Sequence, residues 1–213
     1  MRLYRHLNEE TIIEVRERET VELIKKDCGP FLKEMSKAQK GSFIYRGIRR
    51  GVKTGPLPVE KRTPRKDRWP SDVPQEIHEY VDNELKAMFG WRPRSQGTFT
   101  SASFMTAAEF GIPSIFFPIG KYRYIWAQGI GDFIGELDRQ EIISHVGKWR
   151  IETSITKQER ENRIDEILNE YIDKNLPKAV MNREEIIFDC KAYYLIDNGE
   201  IGLLTDIGKV IWK

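Results

Sequence analysis

From Asn8, the segment NEETIIEVRERETVELIKK carries a polar capping residue, acids in its first turn and lysines in its last, with Ile12, Val15 and Leu23 recurring near helical spacing. This pattern predicts an N-terminal helix. PFLKEMSKAQ opens on Pro30, where a first-turn proline is tolerated, and predicts a second short helix ended by Gly41. GSFIYRG, a run of aromatic and branched residues between two glycines, predicts a buried strand. PQEIHEYVDNELKAMFGW returns to helical periodicity through Ile77, Val81, Leu85 and Met88, with Gly90 as its stop. QGTFTSASF reads as a short strand entering a turn, MTAAEFG as a brief helix, and SIFFPIG and YRYIW as two strands about a turn at Gly120.

The stretch from 127 to 154 has an ambiguous pattern. After it, TKQERENRIDEILNEYIDK is amphipathic, with Ile164, Ile167, Leu168, Tyr171 and Ile172 on one side of a helix. EEIIFDC, KAYYLID and EIGLLT have strand composition, and Asn198-Gly199 predicts a hairpin between the last two. Helices concentrated early, short strands later and no regular strand-helix alternation predict an α+β architecture over a doubly wound one. The 213-residue length fits one domain, with N-terminal helices over 1–40 and the core over 41–213.

Lys+Arg at 35 nearly balance Asp+Glu at 33, and a net charge of +2 does not identify a partner. The local distribution is more informative. Between residues 48 and 72, Arg49, Arg50, Lys53, Lys61, Arg62, Arg65, Lys66 and Arg68 stand against only Glu60 and Asp67, in a segment punctuated by Gly and Pro that predicts a long basic loop. Cys28 and Cys190 lack a CxxC spacing and read as two buried thiols, and three scattered histidines give no zinc pattern. No apolar run approaches the roughly 20 residues of a bilayer span, and MRLYRHLNEE lacks a signal peptide's apolar stretch. The expectation is a cytoplasmic protein with neither membrane nor metal as a partner.

Three separated pieces, taken in order, resemble the ADP-ribosyltransferases of the arginine-serine-glutamate class. Phe43-Ile44-Tyr45-Arg46-Gly47 looks like that family's aromatic-Arg-Gly strand. Phe99-Thr100-Ser101-Ala102-Ser103 is similar to its Ser-Thr-Ser motif, with Ala102 in the place of the central Thr, and Phe104 to Phe110 follow like its short helix. An apolar strand from Ser114 to Ile119 comes next, as the family would have it. Arg183-Glu184-Glu185-Ile186-Ile187-Phe188 resembles the strand opened by the catalytic glutamate, with Glu184 as the competing register. The resemblance covers roughly residues 41 to 205 and implies a split β-sheet core that takes NAD as its substrate. Overall sequence character is similar to phage-encoded members, which would act in the host cytoplasm.

Breaking the bond between nicotinamide and ribose leaves an electron-poor, oxocarbenium-like sugar, so a carboxylate beside the ribose stabilises the developing charge. The resemblance implies that role for Glu185. A guanidinium on a rigid strand grips phosphate oxygens through paired hydrogen bonds, which suits Arg46 to the pyrophosphate of NAD. Gly47 would let the nicotinamide carboxamide approach the backbone. Ser101 would position Glu185 and the ribose, with Ser103 as a further cofactor contact. Phe104 or Phe110 would stack on the nicotinamide. Bland readings stand beside each of these: an edge-strand arginine with a turn glycine, a turn rich in Ser and Thr, phenylalanines in the core, and a solvated glutamate. His78 reads as a surface or boundary histidine, and Met88, Trp91, Trp126 and Trp149 as core or interface filler.

In arginine-modifying relatives, the residue two before the catalytic glutamate helps receive the acceptor guanidinium. Arg183 occupies that place here, and a cation there repels an arginine acceptor. The basic loop reads as a solvated face, a clamp over cofactor phosphates, or a docking surface for nucleic acid or an acidic protein. Only Trp69 interleaves an aromatic there, thin support for base stacking. Three functions compete. One is a mono-ADP-ribosyltransferase moving ADP-ribose from NAD to a host protein or nucleic-acid acceptor with release of nicotinamide. Another is a catalytically inactive ADP-ribosyltransferase-fold binding or virion-associated protein. The last is a basic nucleic-acid-binding module.

Overall fold

The computed structural model describes residues 2–53, 55–66, 68, 73–146, 149–152 and 155–212. Asp67 and Trp69 lie outside the described residues. In chain order the elements are α1 (Arg2–Asp27), α2 (Gly29–Met35), β1 (Tyr45–Ile48), β2 (Glu60–Arg62), α3 (Gln75–Phe89), α4 (Pro93–Gln96), β3 (Thr98–Ser101), α5 (Phe104–Glu109), β4 (Ile112–Pro118) and β5 (Tyr122–Ala127). They continue as α6 (Phe133–Arg139), β6 (Ile143–Val146), β7 (Trp149–Glu152), α7 (Lys157–Leu168), β8 (Tyr171–Ile172), α8 (Leu176–Asn182), β9 (Glu185–Cys190), β10 (Tyr193–Asp197) and α9 (Ile201–Ile211). The architecture is mixed α+β.

Its centre is an eight-stranded antiparallel sheet in the order β2, β10, β4, β1, β3, β9, β5, β8, and β6 pairs with β7 apart from it. Successive strand residues point to opposite faces, and apolar side chains at both parities need a cover on each side. On β9, Ile186 and Phe188 join a cluster with Ile24, Phe31, Met35, Leu176 and Leu203, contributed by α1, α2, α8 and α9. Ile187 between them joins the other cluster, with Ile77, Val81 and Leu85 of α3, Phe133 of α6 and Ile164 of α7. β5 alternates in the same way, Tyr124 and Trp126 to the first cluster and Ile125 to the second.

Several expectations are corrected. EIGLLT is not a strand: α9 runs through it and buries Leu203, Leu204, Ile207 and Ile211, a helical spacing that becomes visible only when the window extends to Trp212. Asn198-Gly199 does turn the chain, with the Gly199 N–H donating to Asp197 Oδ1 at 2.8 Å, but the turn feeds a helix. α7 stops at Leu168, and Tyr171 and Ile172 pair as β8 with Ala127 and Trp126 of β5. The basic segment is not wholly loop, because β2 pairs along β10 at the sheet edge. Met88 is 45% exposed and fills no core, whereas Trp91 and Trp126 are buried. Cys28 and Cys190 are free and buried.

Candidate functional site

At the middle of the sheet, β1 registers with β3 through Tyr45 opposite Ser101, and Ser101 stands opposite Glu185 of β9. A cavity of about 610 Å³ opens there, and Arg46, Gly47, Ser101 and Glu185 all line it. Phe110, Asp132, His78 and the arginines at 49, 62, 65, 68 and 94 complete most of its polar and aromatic wall.

The two glutamates that open β9 differ in kind. Glu184 is buried and its Oε1 accepts the Gly129 N–H at 3.0 Å, a structural tie across to the loop after β5. Glu185 faces the cavity, and its buried Oε1 has no hydrogen-bond partner among the described residues. Burial pushes the Glu185 carboxyl up to about 7, opposed by the positive charge of Arg94, reinforced by Asp132 and opposed again by Arg68.

Arg94 stands closest to this carboxylate, with Nη1 3.6 Å from Oε1. A buried arginine is costly unless its surroundings compensate it, and Arg94 Nη1 is buried with no hydrogen-bond partner among the described residues. The backbone N–H of Arg94 donates to Asp82 Oδ1 at 2.8 Å, and the Ser95 hydroxyl donates to Asp82 Oδ2, which ties α4 to α3. The guanidinium then lies 4.7 Å from the ring centroids of both Phe99 and Phe133. Sequence reading missed Arg94. Its only local signal is a Pro-Arg pair between a helix stop and a strand.

Arg46 stacks over the Tyr193 ring at 5.2 Å, and its buried Nη1 has no hydrogen-bond partner among the described residues. Burial lowers its pKa, Tyr193 opposes that, and the neighbouring Arg62 adds to the lowering. Arg62 is itself held by Glu60 through two hydrogen bonds of 2.8 and 3.0 Å. Arg68 lies over Phe99 at 4.5 Å, and burial with the charges of Arg46, Arg94 and Arg65 brings its pKa down to about 10. Like charges crowded into one cavity repel one another, a cost that an anionic ligand would relieve.

Ser101 is buried, and its Oγ accepts the Ser103 N–H at 3.0 Å, leaving its own proton to donate. Ser103 caps α5, its Oγ accepting the Thr106 N–H at 3.2 Å, and it lies outside the cavity wall. Phe104 is also outside the wall, its ring set edge-on to Tyr45 at 5.7 Å, whereas Phe110 is part of it. A Cβ at Gly47 would stand 2.2 Å from the Ala107 carbonyl oxygen and 2.8 Å from Phe110 Cβ, so α5 seats directly on this glycine. Arg183 is exposed and outside the wall, in the left-handed region with φ of 62°. His78 is half-buried, in hydrogen-bond contact with Ser95 Oγ at 3.1 Å, and burial lowers its pKa.

The arrangement places a carboxyl group that titrates at about 7, with Asp132 beside it in the wall, among several guanidinium groups. It suits a ligand that combines anionic groups with a centre that becomes cationic. Among the described residues no group of His, Cys, Asp and Glu is placed to hold a metal, and no helix is long and apolar enough to cross a membrane. Compared with known proteins, the chain matches no family model, no curated protein and no solved structure.

Proposed function

We propose that the cavity binds NAD and that the chain is a mono-ADP-ribosyltransferase with an ADP-ribosyltransferase-like fold, moving ADP-ribose to a macromolecular acceptor and releasing nicotinamide. The observation that carries this reading is the meeting of Arg46 of β1, Ser101 of β3 and Glu185 of β9 in one cavity, with Arg46 Nη1, Arg94 Nη1 and Glu185 Oε1 all buried and without a hydrogen-bond partner among the described residues. Buried polar atoms are hydrogen-bonded in nearly all native sites, so such atoms of both charges in one wall support a ligand that carries both complements.

In this reading Arg46 and Arg68 hold the pyrophosphate, and Ser101 donates to the ribose or to Glu185. The Glu185 carboxylate accepts a ribose hydroxyl and stabilises the oxocarbenium-like centre as nicotinamide leaves, an effect typically worth about 2.7–4 kcal/mol. Arg94 favours the ionised form of Glu185 that this role needs. Phe110 is the better placed of the two phenylalanines to meet the nicotinamide, because it lines the wall. A second reading keeps NAD binding without turnover. It is favoured by the proximity of Arg94 to Glu185, which offsets part of the negative charge the reaction would use.

The test is incubation of wild type and Glu185→Gln with NAD labelled in the adenylate and a bacterial lysate, following both nicotinamide release and labelled products. Nicotinamide release and acceptor labelling by wild type alone is the expected result. Tight NAD binding by both proteins with no nicotinamide release from either selects the second reading.

A further inference from the structure

We propose that the acceptor at this site is a single-stranded nucleic acid, held by the cationic rim of the cavity and by the exposed aromatic ledge of α5 and its C-cap; this rests on the NAD reading above. The first observation is a surplus of cations. Arg62 is held by Glu60 and Arg94 faces Glu185, whereas Arg46, Arg49, Arg65 and Arg68 make no ion pair among the described residues. The pyrophosphate of NAD brings two negative charges, which Arg46 and Arg68 match from within the cavity. Arg49 and Arg65 are exposed in its wall, and their chain neighbours Arg50 and Lys66 are exposed as well. Concentrated positive charge of this kind costs the folded state self-repulsion, and a polyphosphate backbone relieves it.

The second observation separates a nucleic acid from an acidic protein. Phe110 is 57% exposed at the cavity wall, and Phe104, at the other end of α5, is 41% exposed with its ring set edge-on to Tyr45. Exposed rings are costly in water and idle against a carboxylate-rich peptide, but they stack on bases of any sequence. Cations and stacking faces side by side are the two halves of a single-strand binding surface. A base must leave its stack to lie on Phe110 or to reach a recessed ribose, which favours a single strand over a duplex.

The transfer balances without a further reactant. A base nitrogen or a sugar hydroxyl supplies the electron pair for the new bond to the ribose carbon. The bond from that carbon to nicotinamide breaks, its pair neutralising the pyridinium, and the acceptor's proton passes to solvent.

The experiment measures fluorescence anisotropy of labelled 20-nucleotide RNA, DNA and duplex DNA without NAD over a salt series, for wild type, the double variant Arg49→Glu with Arg65→Glu, and Phe110→Ala. Both single strands are expected to bind more tightly than the duplex, with a logarithmic salt slope of about −0.7 for each phosphate engaged. The double charge variant should weaken binding at least about tenfold and flatten the slope by about 1.4. Phe110→Ala should weaken it at least about fivefold at an unchanged slope. No binding in low salt, preference for the duplex, or affinity that all the variants preserve overturns the proposal. With labelled NAD added, nuclease-sensitive label supports the proposal, and label confined to a protease-sensitive product overturns it. Nicotinamide release without oligonucleotide binding also overturns it while leaving the NAD reading intact. Oligonucleotide binding that the charge variant abolishes, with no nicotinamide release, supports the docking surface and sinks the transferase reading instead.

Discussion

Arg94 Nη1 stands 3.6 Å from Glu185 Oε1, too far for a hydrogen bond and close enough for its charge to favour the ionised carboxylate. Burial acts the other way and prevails, leaving Glu185 titrating at about 7.

If ionised Glu185 carries turnover, NAD cleavage rises with pH through about 7 and levels off above 8. Arg94→Ala removes the charge that favours ionisation, so the midpoint should move upward, and Arg94→Lys should bring part of it back. Nicotinamide release measured from pH 5.5 to 9 checks this. A midpoint below 5 in wild type would contradict the dominance of burial, and one that Arg94→Ala leaves in place removes Arg94 from the electrostatics of the site.

The same titration has a consequence for stability. The folded pKa of Glu185 lies above the ordinary carboxylate value of 4.5, so the folded state binds this proton more tightly than the unfolded chain. The resulting stabilisation is fully present below pH 4.5 and is lost as pH rises to about 7. Glu185→Gln escapes that loss. Relative to its standing against wild type at pH 4.5, it should gain at most roughly 3 kcal/mol at pH 8. Urea denaturation at the two pH values reads the difference, and an equal gap at both would contradict the buried charge.

Ser103 separates a helix cap from a cofactor contact. Ser103→Ala removes the side-chain bond to the Thr106 N–H and should cost about 1 kcal/mol of stability, with NAD affinity unchanged. Affinity lost at unchanged stability would return Ser103 to the ligand.

Gly47→Ala forces a methyl group against the Ala107 carbonyl oxygen and Phe110 Cβ, so α5 must shift. We expect a loss of about 1–3 kcal/mol, seen as a lower Tm. A Tm equal to wild type would mean that α5 is not seated as described.

Much of the sheet was legible because apolar runs such as IFF of β4 and IIF of β9 are buried throughout, the latter on both faces, and stand out from a highly charged chain. That same double burial hid the register of β9: with Ile186 and Ile187 both apolar, the sequence does not phase Glu184 against Glu185, and only tertiary packing does. α9 was misread because Ile201, Leu203 and Leu204 look strand-like until Ile207 and Ile211 reveal the helical period. Arg94 was not legible at all. Its role depends on Phe99 and Phe133, which reach it from β3 and α6 and have no sequence relation to it. Motif order singled out Ser101 and Arg46, which line one cavity, and the separation of Phe110 from Phe104 required the path of α5.

The seating of α5 on Gly47 turns the cavity into a gauge. With no slack between helix and strand, the Phe110 Cβ is fixed relative to the strand that carries Arg46, before any ligand arrives. The distance from the root of that ring to the strand carrying Arg46 is therefore set by the fold. If Phe110 and Arg46 are the two anchors proposed above, molecules whose ring-to-phosphate length fits would enter at little reorganisation cost, and shorter or longer ones would forfeit one of them.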